Sequence, residues 1–547
     1  MKRITKKYFL FLLFISIAHA QTPYMVKDIN PGNTNSVSVG NIISINNNIF
    51  FTVTSLDGAT NSLWKSDGTE AGTVMIKEFN FPGPMWLTNV NNTLFFSAPH
   101  PIYGVELWKS DGTETGTILV KDIDPRSNQS SNPMWLTNVN GILFFTAGDS
   151  YGRDLWKSDG TESGTFKVKD IDNLRGDPLN LTSVGNTLFF TAPDASHGRE
   201  LWKSDGTETG TFMVKDIRPG NNGTEMYELT DVNGTLFFNA NDVTVYGSEL
   251  WKSDGTEAGT TIVKDISPGG QGSGPGLLTN VNGTLFFVTD GGLWKSDGTD
   301  SGTVLVKDVA PGWSPRFMNL TNVNGTLFFY ASDGGSGAFG EELWKSDGTE
   351  AGTIMVKDIY SGFLGSRPQD NELINVNGTL FFTADDGVHG MELWKSDGTE
   401  SGTILVGDIR PGNFGSEISS LTNANGTLFF RANDGITGYE LWAVKSIVGV
   451  SKNISTQSFS LQQNYPNPFN PKTNIDFKIS ESGIVTLRIY NILGQEVATL
   501  VNEELKLGEY TINWNASGFS SGVYFYTLTF KGTNENFIST KKMVYLK

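Results

Sequence analysis

The residues best equipped for chemistry are written many times over. A Ser-Asp-Gly-Thr-acid run occurs eight times, and Asp67, Asp111, Asp347 and Asp397 belong to four of its copies. Each copy offers an acid, a hydroxyl and a second acid, as in Asp347, Thr349 and Glu350. Oxygen donors are what a calcium ion collects, about six to eight of them. The run lacks the alternating acids of a calcium loop. An Asp ahead of a Gly also closes a turn by accepting its own backbone amides. Turn closure is therefore the expectation, with calcium at Asp67, Asp111, Asp347 and Asp397 as the alternative and no other cofactor. Three histidines lie beyond the first twenty residues, His100, His197 and His389. Each falls in a different copy of a longer repeat, so neither a shared metal site nor a proton relay is expected. A Ser-His-Asp triad would have to draw on one of these lone histidines, and no nucleophile-elbow motif is expected to support it. The recurring Lys-Asp of "VKDI", such as Lys215-Asp216, is expected to serve structure through ion pairs between neighbouring strands. The Asn-Gly-Thr copies match a glycosylation sequon but read first as turns.

What positions these residues is a repeat. The Trp of the phrase "LWKSDGT" recurs at 64, 108, 156, 202, 251, 294, 344 and 394, and a ninth Trp at 442 begins the phrase without finishing it. Successive Trp lie 43 to 50 residues apart. Each period holds four apolar segments, typified by "LTNV", "TLFFTA", "ELW" and "MVKDI". The step from the Leu of "LTNV" to the first Phe of "LFF" is eight residues, as from Leu87 to Phe95. The step from the Trp to the central Val or Ile of "VKDI" is twelve, as from Trp64 to Ile76. The other two connections vary. Fixed steps mark two β-hairpins, one turning on Asn-Gly, which suits a type I′ turn with two positive φ angles. The other turns through "SDGTExGT". The consecutive Phe pair requires a strand covered on both faces. A four-stranded sheet stacked between two like sheets meets that need, which is the blade of a β-propeller.

The ends of the repeat complement each other. The chain opens with "YMVKDI" at Tyr24–Ile29, which has no "LWKSDGT" before it, and its last repeat stops at Leu441-Trp442 with no "VKDI" after it. The N-terminal strand is expected to pair beside Trp442 and close a ring of nine four-stranded blades. An open superhelical stack is the alternative, and it would leave two unpaired edges.

Composition fits an exported protein. The formal net charge is −18, and a leader bearing Lys2, Arg3, Lys6 and Lys7 would leave −22 once removed. Such a surface repels nucleic acid and anionic lipid. There is no cysteine, which excludes disulfides and thiolate chemistry. The start, "MKRITKKYFLFLLFISIAHA", reads as a secretory signal peptide at residues 1–20, cleaved between Ala20 and Gln21. No later stretch approaches the length of a transmembrane helix.

After residue 442 the pattern changes. Residues 443–460 read as a linker. "NYPNPFNPKTNIDF" follows, and then short alternating segments place Val485, Leu487 and Ile489 on one face and Tyr510, Ile512 and Trp514 on another. A small Ig-like β-sandwich over 461–547 is expected, in an all-β chain.

Two resemblances accompany these motifs. Residues 24–442, with their eight full phrases, resemble the ELWxxDGT-repeat family, which implies a secreted bacterial repeat protein and no defined activity. Residues 461–547, through "NYPNPFNP", "YNILGQEV", "GEYTINWNA", "SGVYFYTL" and "KKMVYLK", resemble the type A C-terminal sorting domain of the type IX secretion system. That resemblance implies passage through the periplasm, recognition by the type IX machinery, and release or tethering at the outer-membrane surface. An adhesive Ig-like module is the plainer alternative.

Variation is confined to the two irregular connections, so recognition is expected there. Trp313, Phe363, Phe414, Tyr246 and Tyr151 are the candidate contacts, since exposed aromatics stack on sugars or anchor proteins. The function expected is a non-catalytic secreted or cell-surface propeller that binds a glycan or a protein. A glycan-active enzyme and a calcium-stabilised envelope protein are the alternatives.

Overall fold

The computed structural model describes residues 22–31, 38–55, 57–126, 129–171, 177–194, 196–242, 245–313, 315–332, 340–362, 365–366, 373–445, 460–479, 483–505, 508–531 and 536–547. The leader with Ala20 and Gln21, residues 446–459 of the expected linker, and Phe363 lie outside them. The described secondary structure is all β, and no helix is long and apolar enough to cross a membrane. The chain divides into two compact units, residues 1–446 and 447–547.

The first unit contains nine four-stranded antiparallel sheets among the described residues. The second blade shows the plan. Met85–Val90 pairs with Thr93–His100, which pairs with Gly104–Ser110, which pairs with Ile118–Lys121. The first hairpin of this blade turns on Asn91 and Asn92, at φ 49° and 65°, and six other blades use the expected Asn-Gly, as at Asn233 and Gly234 with 53° and 83°. In the ninth blade Ser419–Ala424, Thr427–Asn433 and Tyr439–Lys445 receive Tyr24–Lys27 as their fourth strand. Tyr24 faces Ala443 and Met25 faces Trp442. The expected closure by the N-terminal strand is thus present, and the last repeat strand runs to Lys445, three residues past the expected boundary at 442.

Apolar side chains join each sheet to the next. The first Phe of each "LFF" faces the following blade and the second faces the preceding one. Phe95 packs with Phe145 of the third blade, whereas Phe96 packs with Phe50 of the first. Phe51 and Phe429 meet in the cluster that joins the ninth blade to the first. The Trp of each repeat lies across from the second Phe in strand register, and five such pairs stack with centroids 6.2–6.5 Å apart. Burying one Phe is worth roughly 1.5–3 kcal/mol, so the pair on opposite faces bonds a blade to both neighbours.

The "LTNV" strand of each blade is the innermost. Its Thr and Asn stitch the inner ring together. Thr88 Oγ1 donates to Leu136 O at 3.1 Å, and Asn138 Nδ2 donates back to Asn89 O at 3.0 Å. Thr422 Oγ1 donates to Ile42 O at 3.4 Å, which carries the stitching across the closure. The inner strands are bulged, with a register slip between Met85 and Thr88 and between Met134 and Thr137.

The second unit is a two-sheet sandwich. Ser460–Leu461, Lys472–Ile479 and Gly508–Asn515 form one sheet, and Glu496–Leu505, Gly483–Asn491, Gly522–Lys531 and Asn536–Tyr545 the other. Val485, Leu487 and Ile489 are fully buried between them, as their alternation requires. Phe469 of the proline-rich segment stacks on Tyr545 at 5.2 Å and accepts from Leu546 N at 3.0 Å. The two ends of the module are thereby pinned to each other. Tyr526 Oη accepts from Asn464 N at 2.8 Å and donates to Gln462 O at 2.7 Å, and burial pushes its hydroxyl up to about 12.

Candidate functional site

Antiparallel order divides each blade into two ends. The Asn-Gly turn and the "SDGTExGT" loop share one end. The turn between the second and third strands and the crossover to the next blade share the other. One face of the ring is therefore built from near-identical turns, and the opposite face from the variable connections.

On the constant face the acids close their own loops. Asp67 Oδ1 accepts from Thr69 N at 2.9 Å and Thr69 Oγ1 at 2.7 Å. Asp111, Asp347 and Asp397 repeat this geometry. The Thr hydroxyl's bond, followed by the amide's, holds each of these carboxyls below its usual range. Behind them a buried Ser–Thr hydroxyl pair, 2.7 Å between Ser66 and Thr73, closes the loop's neck. Among the described residues, no three His, Asp or Glu side chains are grouped to hold a metal ion.

The lysines act otherwise than expected. Lys121 Nζ donates to Thr165 O at 2.9 Å and Lys109 Nζ to Gly160 O at 2.8 Å. Both oxygens belong to the loop of the next blade. Lys307 and Lys295 grip the Thr353 and Gly348 carbonyls in the same way. The expected ion pairs give way to bonds with backbone carbonyls, because the loop presents its oxygens to the preceding blade while its Asp is engaged locally. Lys264 does form an ion pair with Asp300, at 3.4 Å.

The acid before Leu-Trp was not singled out from sequence, yet it has the most perturbed environment. Glu106, Glu200, Glu342, Glu392 and Glu440 are fully buried. Glu106 accepts from Ile123 N at 3.1 Å, Ser131 N at 2.9 Å and Ser131 Oγ at 2.6 Å. It clasps the end of one blade to the entry of the next. Desolvation pushes all five carboxyls up to about 7. The recurrence of Glu at this position, after a variable connection, was the available signal.

The histidines stay in their own turns. His197 Nδ1 lies 2.7 Å from Asp194 and His389 Nδ1 lies 2.7 Å from Asp386. Those hydrogen bonds raise both imidazoles above their usual value. His100 stacks on Tyr103 at 4.4 Å and is lowered by desolvation. They occupy the fourth, eighth and second blades. Contrary to the expectation of no such motif, Gly148-Asp149-Ser150-Tyr151-Gly152 does spell a nucleophile elbow, but it joins two antiparallel strands and not a strand to a helix.

The variable face carries the exposed aromatics. Trp313 is 61 % exposed, Phe414 76 % and Tyr151 69 %. Arg410 lies over Phe414 at 5.4 Å and Lys167 over Tyr151 at 5.7 Å. Tyr246 is half-buried, its N–H donating to Asp242 Oδ1 at 2.9 Å. Sequence reasoning passed over the aliphatic turn tips Ile102, Val245, Val388 and Ile436, all exposed on this face.

Comparison with known proteins bears chiefly on the second unit. Residues 463–545 match a family model described as the secretion system C-terminal sorting domain. No curated protein matches the chain. Among solved structures it is similar to PorZ, described as an essential bacterial surface component of the type IX secretion system of Porphyromonas gingivalis, at 12% identity over 93% of this chain and 87% of that one, with a TM-score of 0.27. It is also similar to the propeller domain of the Trilobed protease from Pyrococcus furiosus, at 9% identity over 57% of this chain and 94% of that one, with a TM-score of 0.32. A third likeness is to prolyl oligopeptidase B from Galerina marginata, at 9% identity over 67% and 56%, with a TM-score of 0.36. Nine closed blades, a separate sandwich and the family match over 463–545 together make this an all-β propeller that carries a type IX C-terminal sorting domain and is exported to the cell surface or beyond it.

Proposed function

We propose that the propeller is a non-catalytic binding domain which holds a glycan or a protein through its variable face once the sorting domain has delivered it outside the cell. The single observation behind this reading is a division of labour. Recurring polar groups are committed to loops and joints between blades, and a recurring apolar residue such as Phe166 or Phe212 opens most of the fourth strands, whereas the variable connections expose large aromatics that differ from blade to blade. Aromatic anchors on a rigid scaffold are the usual means of recognition. Purified mature protein should retain at least one polysaccharide or cell-surface protein on an array. The combined Trp313→Ala, Tyr151→Ala and Phe414→Ala variant should lose most of that signal without a change in melting temperature. An array silent for the parent protein, or indifferent to the substitutions, would count against the reading.

A further inference from the structure

Every described inner-strand bulge places one residue in the left-handed region. The occupants are Asn41, Asn180, Asn319, Ser420, Glu228 and Leu277, with φ between 48° and 63°, and Trp86 and Trp135 at 58° and 57°. Asn tolerates this conformation, but a bulky residue there is an outlier. The structural task of the position is visible in other blades. Asn180 Nδ2 reaches Met226 O of the next blade at 3.3 Å, and Glu228 Oε2 accepts from Leu278 N at 3.3 Å. Trp86 makes the same forward contact with its ring, meeting Trp135 at 5.4 Å between centroids and 38° between planes. An Asn would bridge the blades with less strain. Glu228 and Leu277 carry the same strain, so what sets Trp86 and Trp135 apart is that two large rings occupy adjacent bulges and meet.

The pair has what a ligand platform needs. Trp86 is 39 % exposed and Trp135 is partly so. Among the described residues neither indole N–H donates to a protein acceptor; the same holds for the buried Nε1 of Trp156, Trp202, Trp251, Trp294, Trp394 and Trp442, but those are closed off from solvent and these two are not. Both bulges sit at the start of the innermost strand, where the crossover arrives, so the pair stands at the variable end of the inner ring, with Trp135 also resting on the cluster that joins the third and fourth blades. We propose that Trp86 and Trp135 form a carbohydrate subsite that takes consecutive sugar rings of a neutral polysaccharide. The C–H faces of the sugars lie on the indoles and their hydroxyl oxygens accept the indole N–H bonds. A pair of small faces set at 38° suits a slender chain of rings better than the broad face of a folded protein, and a neutral chain meets no repulsion from the acidic surface. The inference rests on the binding reading above and adds its ligand class and place.

The test uses the full mature chain and its Trp86→Asn/Trp135→Asn variant, with titration calorimetry against laminarin, mannan, xylan and chitohexaose. At least one probe should bind the parent and bind the variant at least about tenfold more weakly. The variant's melting temperature should equal or exceed the parent's, because Asn suits the bulge. Equal affinity in the variant overturns the subsite. If that binding falls instead in the Trp313→Ala/Phe414→Ala variant, the variable-face reading survives. Failure of every probe overturns the subsite as well, and a surface protein displaced by the loop substitutions would leave the broader reading intact. A marked drop in the variant's melting temperature would show the pair to be a joint between blades and also overturns the proposal.

Discussion

Seven blades place an acid before Leu-Trp, and five of these, all Glu, share a carboxyl raised to about 7 from an ordinary 4.5. The folded state binds these protons more tightly than the unfolded chain does. Their contribution is fully present below about pH 4.5 and is lost as pH rises through about 7. The Asp residues of the "SDGT" loops work in the opposite sense. Their lowered carboxyls contribute above their ordinary 3.8 and lose that contribution as pH falls further. The melting temperature, followed by calorimetry, should therefore be higher near pH 5 than near pH 8 and fall again below about pH 3. Glu342→Gln should lessen the decline between pH 5 and 8 by about one part in five, since an amide keeps an acceptor for Ile359 N without ionising.

The elements of the first unit could be read from spacing alone, because a blade is made of two fixed hairpins. Fixed steps of eight and twelve residues named the strands, and the consecutive Phe pair of Phe95 and Phe96 showed that both faces were covered. The loop lysines could not be read this way. Lys121 acts on a carbonyl in the next blade, a partner 44 residues away that no local pattern reveals. The Trp86–Trp135 pair escaped for the same reason, although "PMWLTNV" occurs in only these two adjacent repeats. Two substitutions test the element-level account. Phe96→Ala removes a ring buried between the first and second blades and should cost about 3–5 kcal/mol, seen as a lower unfolding midpoint in denaturant. Gly116→Ala would put a Cβ 2.1 Å from Asp111 Oδ1 and should open that loop, lowering the melting temperature while leaving the other seven loops intact.

At the scale of the whole molecule, two deletions separate architecture from delivery. Removal of residues 463–545 should leave the propeller folded and hold it in the periplasm, as cell fractionation would show. Removal of residues 22–29 should expose the edge of Tyr439–Lys445 and produce dimers or aggregates on gel filtration, because an unpaired edge strand recruits another chain. The second deletion also bears on timing. The strand that completes the ninth blade is made first, and Ile29 N reaches Glu440 Oε2 across a separation of 411 residues. Nothing can circularise until that late partner has been synthesised, and the export tag is written later still. A polypeptide cut short before Tyr439 has neither a finished circle nor an exit permit, and one cut between Lys445 and residue 463 has the circle alone. Inspection for completeness is built into the order of synthesis.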